Sequence, residues 1–180
     1  MNNIVSKYIG NSLINGRISR WDKTDINFYI TDISANLREF EKEQYYGIIR
    51  NASKIWSATG IIRLNQTNDR NIADIIVTWT KVGRTFEGNC KYISIINSCF
   101  KLVSIEIGLP NEYSPKTVND MTILHTAIHE FGHALGLGHG VDVNDVMFVP
   151  HQKTLNKISE NDLEVLKILY SIPTGESVNL

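Results

Sequence analysis

The sequence predicts an α+β fold in which helices pack on a mixed sheet. Three observations carry that expectation. Strand signals come first, between residues 25 and 107, and helices gather late, with one helix between the first two strands. The segment Ala73 to Thr80 (ADIIVTWT) is apolar at nearly every position, as a central strand covered on both faces requires. Tyr45, Ile48, Ile49, Ala52, Ile55 and Trp56 instead recur at helical spacing and form one apolar stripe.

The elements follow in chain order. Residues 1–20 are polar with scattered apolar positions and read as an N-terminal arm. Asp25 to Thr31 alternates as a first strand. A helix from about Ala35 to Ala58 carries the apolar stripe, and Thr59-Gly60 ends it. Ile61 to Leu64 is a short second strand and Ala73 to Thr80 the third. Lys91 to Ile96 and Lys101 to Ile107 are two more, joined by the short connection Asn97 to Phe100. A polar loop runs to Lys116, where Thr117 and Asp120 have the spacing of a capping box. The helix it would start passes through Ile123, Ala127, Ile128, Phe131 and Leu135. Ser159, with Asp162 three positions on, starts a last helix carrying Leu163, Leu166, Ile168 and Leu169.

At 180 residues the chain suits one domain that buries roughly 70% of its extended surface. A net charge of −1 excludes a nucleic-acid or anionic-membrane partner held by bulk charge. No apolar run approaches the roughly 20 residues that span a bilayer. The opening MNNIVSKYIGNS is too polar for a signal peptide, so an export signal is absent or already removed. Cys90 and Cys99 are the only cysteines. A bridge across the hairpin and two separate thiols both remain open.

The chemistry concentrates in His129-Glu130-Phe131-Gly132-His133-Ala134-Leu135-Gly136-Leu137-Gly138-His139. His129 and His133 lie one helical turn apart on the same face, so both imidazoles can reach a single ion at ~2.0–2.1 Å. Glu130 faces a neighbouring sector, suited to accept a proton from water at that ion. A straight helix would carry His139 away. Gly136 can take the positive φ that ends the helix and brings His139 back as third ligand, leaving a fourth position for water. The pattern implies one catalytic zinc. His125, four residues before His129, reads as lying behind the ligands or on the surface. His151 reads as cleft-lining or solvent-facing, and Cys90 is a further soft donor by residue type alone.

The segment HEFGHALGLGH resembles the extended zinc signature of the metzincin metallopeptidases, and among them the matrixins. Met147, eight residues after His139 in GVDVNDVMFVP, is similar in place to the Met-turn of that group, and Pro150 falls where matrixins have a proline. Trp21, the helix ending at Trp56, ADIIVTWT and the final SENDLEVLKILY fit a matrixin catalytic domain in order, so the likeness spans about Trp21 to Tyr170.

The resemblance implies a zincin-like fold: a twisted five-stranded mixed sheet with two long helices, plus a small C-terminal subdomain with one helix. The catalytic domain would occupy 21–175, with an upper part 21–138 and a lower part 139–175. It implies a zinc-dependent endopeptidase acting on extended protein or peptide substrates, which pair with an edge strand within Lys91–Asn97. Met147 would floor the histidines, and Phe148, Val149 and Pro150 would wall the pocket beyond the scissile bond. Val141, Val143, Val146 and Val149 suggest an apolar lining, although some of them must face the core. A protein inhibitor as further partner, a monomeric state and secretion follow from the family alone.

Departures from the family are informative. No histidine precedes His125, so the structural second zinc of animal matrixins is not expected. Their calcium loops are not recognisable, which leaves calcium open, and the prodomain cysteine is missing. Gly140 stands where many matrixins have serine. Two other readings remain: a zinc-binding interaction domain without proteolysis, and a zinc hydrolase acting on small amides or cell-wall peptides.

Overall fold

The computed structural model of the chain describes residues 3–34, 36–81, 88–110, 119–150 and 155–178. The elements run α1 (Asn3–Ser12), β1 (Asp25–Ile30), α2 (Glu39–Ser57), β2 (Arg63–Gln66), β3 (Ile75–Lys81), β4 (Gly88–Ile96), β5 (Cys99–Leu109), α3 (Asp120–Ala134) and α4 (Glu160–Ser171). A single 3-10 turn, Arg70–Ile72, precedes β3.

The five strands form one sheet in the order β2-β1-β3-β5-β4. β1 pairs in parallel with β2 and β3, and β3 with β5, whereas β4 runs antiparallel to β5. The sheet is therefore mixed, with the apolar third strand at its centre. Ile75 and Val77 of β3 are fully buried and Ile76 nearly so, which accounts for the unbroken apolar run. Asn97 and Ser98 adopt φ of 51° and 61°, the left-handed pair that closes a two-residue hairpin between β4 and β5. β4 is left at the sheet edge.

α2 and α3 pack on each other, and α3 also packs on β4 and β5. Phe28 of β1 meets Phe131 of α3 edge-on at 5.6 Å, and Trp21 meets Phe100 at 5.7 Å. Two buried indoles also hold the backbone of α3. Trp56 Nε1 donates to Ile128 O at 2.8 Å and Trp21 Nε1 to Ala134 O at 2.7 Å. Each satisfies a polar group that would otherwise be buried without a partner.

Several sequence expectations need correction. The N-terminal arm is instead a helix, α1, packed against α4. Val5, Tyr8, Ile9 and Ser12 recur at spacings of three and four, and all four are buried, so one face of a polar segment enters the core. α2 starts at Glu39, where Glu41 accepts the backbone N–H of Arg38 at 2.8 Å; Ala35 lies outside the described residues. β2 begins two residues late, because the turn at Gly60 (φ 74°) consumes Ile61 and Ile62. The polar loop before α3 and Thr117 also lie outside the described residues. The cap of α3 is Asn119, whose side-chain oxygen accepts from Met121 N at 3.0 Å and Thr122 N at 3.1 Å. The Ser159–Asp162 capping box on α4 forms as expected. Cys90 and Cys99 are free: Cys90 sits opposite Ile105, while Cys99 sits opposite Ile96 beside the turn. Among the described residues no helix is long and apolar enough to cross a membrane.

Candidate metal centre

α3 ends at Ala134, one residue past His133. Leu135 N and Gly136 N bond back to Phe131 O and His133 O at 2.9 Å each, and Leu137 N returns to Gly132 O at 3.0 Å. Gly136 takes φ of 104°, and a Cβ there would lie 2.9 Å from Ser19 O. Both the dihedral and the space demand glycine. The chain reverses, and His139 returns beside the helix.

The result is a cluster of His129, His133 and His139 whose ligand atoms all lie within 4.8 Å of one another. Ring centroids are 4.7 Å apart for His129 and His133, 4.9 Å for His133 and His139, and 5.5 Å for His129 and His139. His129 Nδ1 contacts Val146 O at 2.9 Å and His133 Nδ1 contacts Leu137 O at 2.8 Å. A carbonyl only accepts, so each Nδ1 carries the proton and each Nε2 keeps its lone pair for an ion. Partial burial holds His139 below the ordinary imidazole range, favouring the neutral, ligating form.

Glu130 is 4% exposed, and burial pushes its carboxyl up to about 8. Its Oε2 has no hydrogen-bond partner among the described residues. An orphaned carboxylate oxygen beside three nitrogen donors fits a site built for a cation and a water. Three imidazoles with a position left over match the donor set of a catalytic rather than a structural zinc.

These groups line a cavity of about 440 Å³ with Gly88, Asn89, Cys90 and Tyr92 of β4, and with Val149. The edge strand thus forms one wall, and Tyr92 ties it to α3 by donating to His133 O at 2.9 Å. Met147 is fully buried beneath α3, with its sulfur against Gly132 between the two helical histidines. Of the three residues expected to wall the pocket, Val149 lines it, whereas Phe148 and Pro150 are not among its lining residues. Val146 is core, Val141 packs against the core, and Val143 faces solvent, so the expected apolar lining reduces to Val149.

His125 is fully buried, not on the surface. Its Nδ1 meets Leu155 O at 2.5 Å, and its ring lies 6.2 Å from that of His129, outside the ligand cluster. His151 lies outside the described residues. Cys90 lines the cavity but does not join the cluster, and burial, with the charge of Glu130, pushes its thiol up and keeps it protonated.

Two acidic residues with no distinctive sequence signature hold the loop beneath the site. Buried Asp145 accepts from Val141 N, Asp142 N, Ser159 Oγ and Asn161 Nδ2, with distances of 2.8 to 3.1 Å. Asp162, expected only as a cap, also accepts Val146 N at 2.8 Å and Tyr8 OH at 2.7 Å. Together they fix Val146, whose carbonyl orients His129. In sequence Asp145 stands among other polar residues of a loop and Asp162 among those of a helix start, so neither is marked out locally.

A sequence model of the matrixin family matches residues 20–171. Karilysin of Tannerella forsythia is 26% identical over 156 residues, covering 80% of this chain and 31% of that protein. Matrix metalloproteinase-18 of Xenopus laevis is 24% identical over 173 residues, covering 88% of this chain and 36% of the relative. Interstitial collagenase of Bos taurus is 20% identical over 160 residues, covering 84% and 33%. The chain thus spans about a third of the length of these curated relatives. With the family match running from β1 to α4 and the three histidines gathered around one point, the chain belongs to the matrixin family.

Proposed function

We propose that this chain is a zinc-dependent endopeptidase acting on extended protein or peptide substrates. The observation that carries the reading is the convergence of His129, His133 and His139 on one point, beside buried Glu130 and the edge strand β4. The three histidines would hold the ion through Nε2. A bound zinc ion would supply Lewis-acid polarisation of the scissile carbonyl and a more acidic water. Glu130 takes a proton from the attacking water and returns one to the leaving amine. Its position beside the three histidines, with Oε2 lacking a hydrogen-bond partner among the described residues, suits both tasks.

β4 supplies the backbone groups to which an extended peptide would add as a further strand, antiparallel to it. Val149 is the pocket wall on the primed side, flanked by Phe148 and Pro150, and Met147 supports the histidines from below. In this reading the upper part, to residue 138, carries the helix with two ligands. The lower part, 139–175, brings the third ligand and the far wall. Secretion and a monomeric state accord with the family. The open approach along an edge strand favours extended peptides over small amides, and Glu130 distinguishes the chain from a zinc-binding domain without proteolysis.

Dialysis against a chelator is expected to abolish cleavage of a denatured protein substrate, and one equivalent of zinc to restore it. Cleavage that persists at full rate in metal-free protein would overturn the proposal.

A further inference from the structure

The C-terminal end of α1 reaches the loop that carries the third histidine. Ser12 Oγ donates to Tyr8 O at 3.0 Å and accepts the backbone N–H of Gly138 at 2.8 Å. The same Leu137–Gly138 peptide presents its carbonyl to His133 Nδ1 at 2.8 Å. Next along the helix face, Asn11 Nδ2 donates to His139 O at 2.9 Å. The contact is close. A Cβ on Gly138 would lie 2.1 Å from Asn11 O, so only glycine lets the loop close onto the helix.

α1 is a firm base for these bonds. Val5, Tyr8 and Ile9 are fully buried, and Tyr8 is tied to Asp162 of α4. The loop needs such a base, because glycines at 136, 138 and 140 make it costly to order. The family match begins at residue 20, so α1 lies outside the part of the chain that the family accounts for.

On the reading of the three histidines as a zinc site, we propose that α1 is a positioning element for the metal, acting through Ser12 on His133 and through Asn11 on His139. A peptide whose N–H is already engaged is polarised and becomes a stronger carbonyl acceptor. Ser12 therefore strengthens the hold of Leu137 O on the His133 Nδ1–H, which fixes the ring and raises the basicity of Nε2. Asn11 fixes the backbone from which His139 projects. Neither residue touches the ion.

The test measures the zinc affinity of the full chain by competition with a chromophoric chelator, alongside melting of the metal-free protein. Ser12→Ala and Asn11→Ala are each expected to weaken zinc binding about tenfold, the usual scale for groups that orient ligands. Ser12→Thr keeps the hydroxyl and is expected to restore affinity. Asn11 is exposed, so its variant is expected to fold with metal-free melting unchanged. The visible bands of the cobalt-loaded protein are expected to shift in both alanine variants. Parental zinc affinity in both, whatever their melting temperatures, would reduce α1 to a purely structural element and overturn the proposal. A parent chain that takes up no zinc, or a His133→Ala chain that binds it as tightly as the parent, would remove the reading of the site and the proposal with it.

Discussion

Replacing Gly132 by alanine drives a methyl group into the contact between α3 and the Met147 turn. The new Cβ would lie 2.3 Å from Met147 Sδ, 2.9 Å from Trp56 Cζ2 and 3.0 Å from Met147 Cε. Comfortable contacts are roughly 3.5–4.0 Å, so the sulfur must retreat by more than about 1 Å. Met147 and Trp56 are both fully buried, so the displacement must be taken up inside the core. Overpacking of this kind costs about 1–3 kcal/mol, and three simultaneous short contacts place the change toward the top of that range. Alanine returns about 1 kcal/mol through helix propensity, leaving a net loss of about 1–2 kcal/mol. Met147→Ala alone is expected to lose about 2–5 kcal/mol. In the double variant the new methyl enters space that the methionine has vacated, so the losses fall short of their sum by at least about 1 kcal/mol. Urea denaturation of the parent, both single variants and the double variant in chelator isolates packing from metal binding. A Gly132→Ala protein as stable as the parent, or strictly additive losses, would refute the packing of Met147 against Gly132.

Two further predictions concern the elements around the site. Tyr8→Phe deprives buried Asp162 Oδ1 of the phenol donor while Oδ2 keeps Val146 N and Ser159 N. The expected loss is about 1–3 kcal/mol in denaturant unfolding, and an unchanged midpoint would detach α1 from α4. At the start of α2, the Arg38 guanidinium and backbone N–H hold the Glu41 carboxyl down at about 2. A carboxylate whose pKa is depressed on folding contributes stability above its unfolded value, and that contribution is lost as pH falls through the folded one. The melting difference between the parent and Glu41→Gln is therefore expected to be full above pH ~4.5 and to close as pH approaches 2. A difference that stays constant across that interval would rule out the cap.

Much of this architecture was legible because burial leaves periodic marks. ADIIVTWT announced a strand covered on both faces, and the stripe from Tyr45 to Trp56 announced a helix with one buried side. The histidines were legible for a different reason: a four-residue helical spacing followed by a glycine leaves few ways to place His139. What escaped detection depends on contacts between distant segments. α1 looked like a polar arm because only Val5, Tyr8, Ile9 and Ser12 enter the core, and their partner helix lies some 150 residues later in the sequence. Asn119 was overlooked as a cap because Thr117 and Asp120 offered an equally good local pattern. Asp145 and Asp162 look like ordinary loop and cap residues until the fold buries them against Val141, Val146 and Tyr8. Phe148, Val149 and Pro150 come to the pocket wall through the family resemblance, and of the three Val149 lines the cavity.

Glu130→Gln isolates the proposed base, because glutamine keeps the size and polarity of the side chain but cannot take a proton from water. The variant and the parent would be assayed together for zinc content and for cleavage of a denatured protein. One zinc per chain and a retained fold are expected in both, with turnover in the variant lower by about 10²–10⁴, the usual scale for a lost general base. Near-parental cleavage by a fully zinc-loaded Glu130→Gln protein would contradict the role of Glu130 as base.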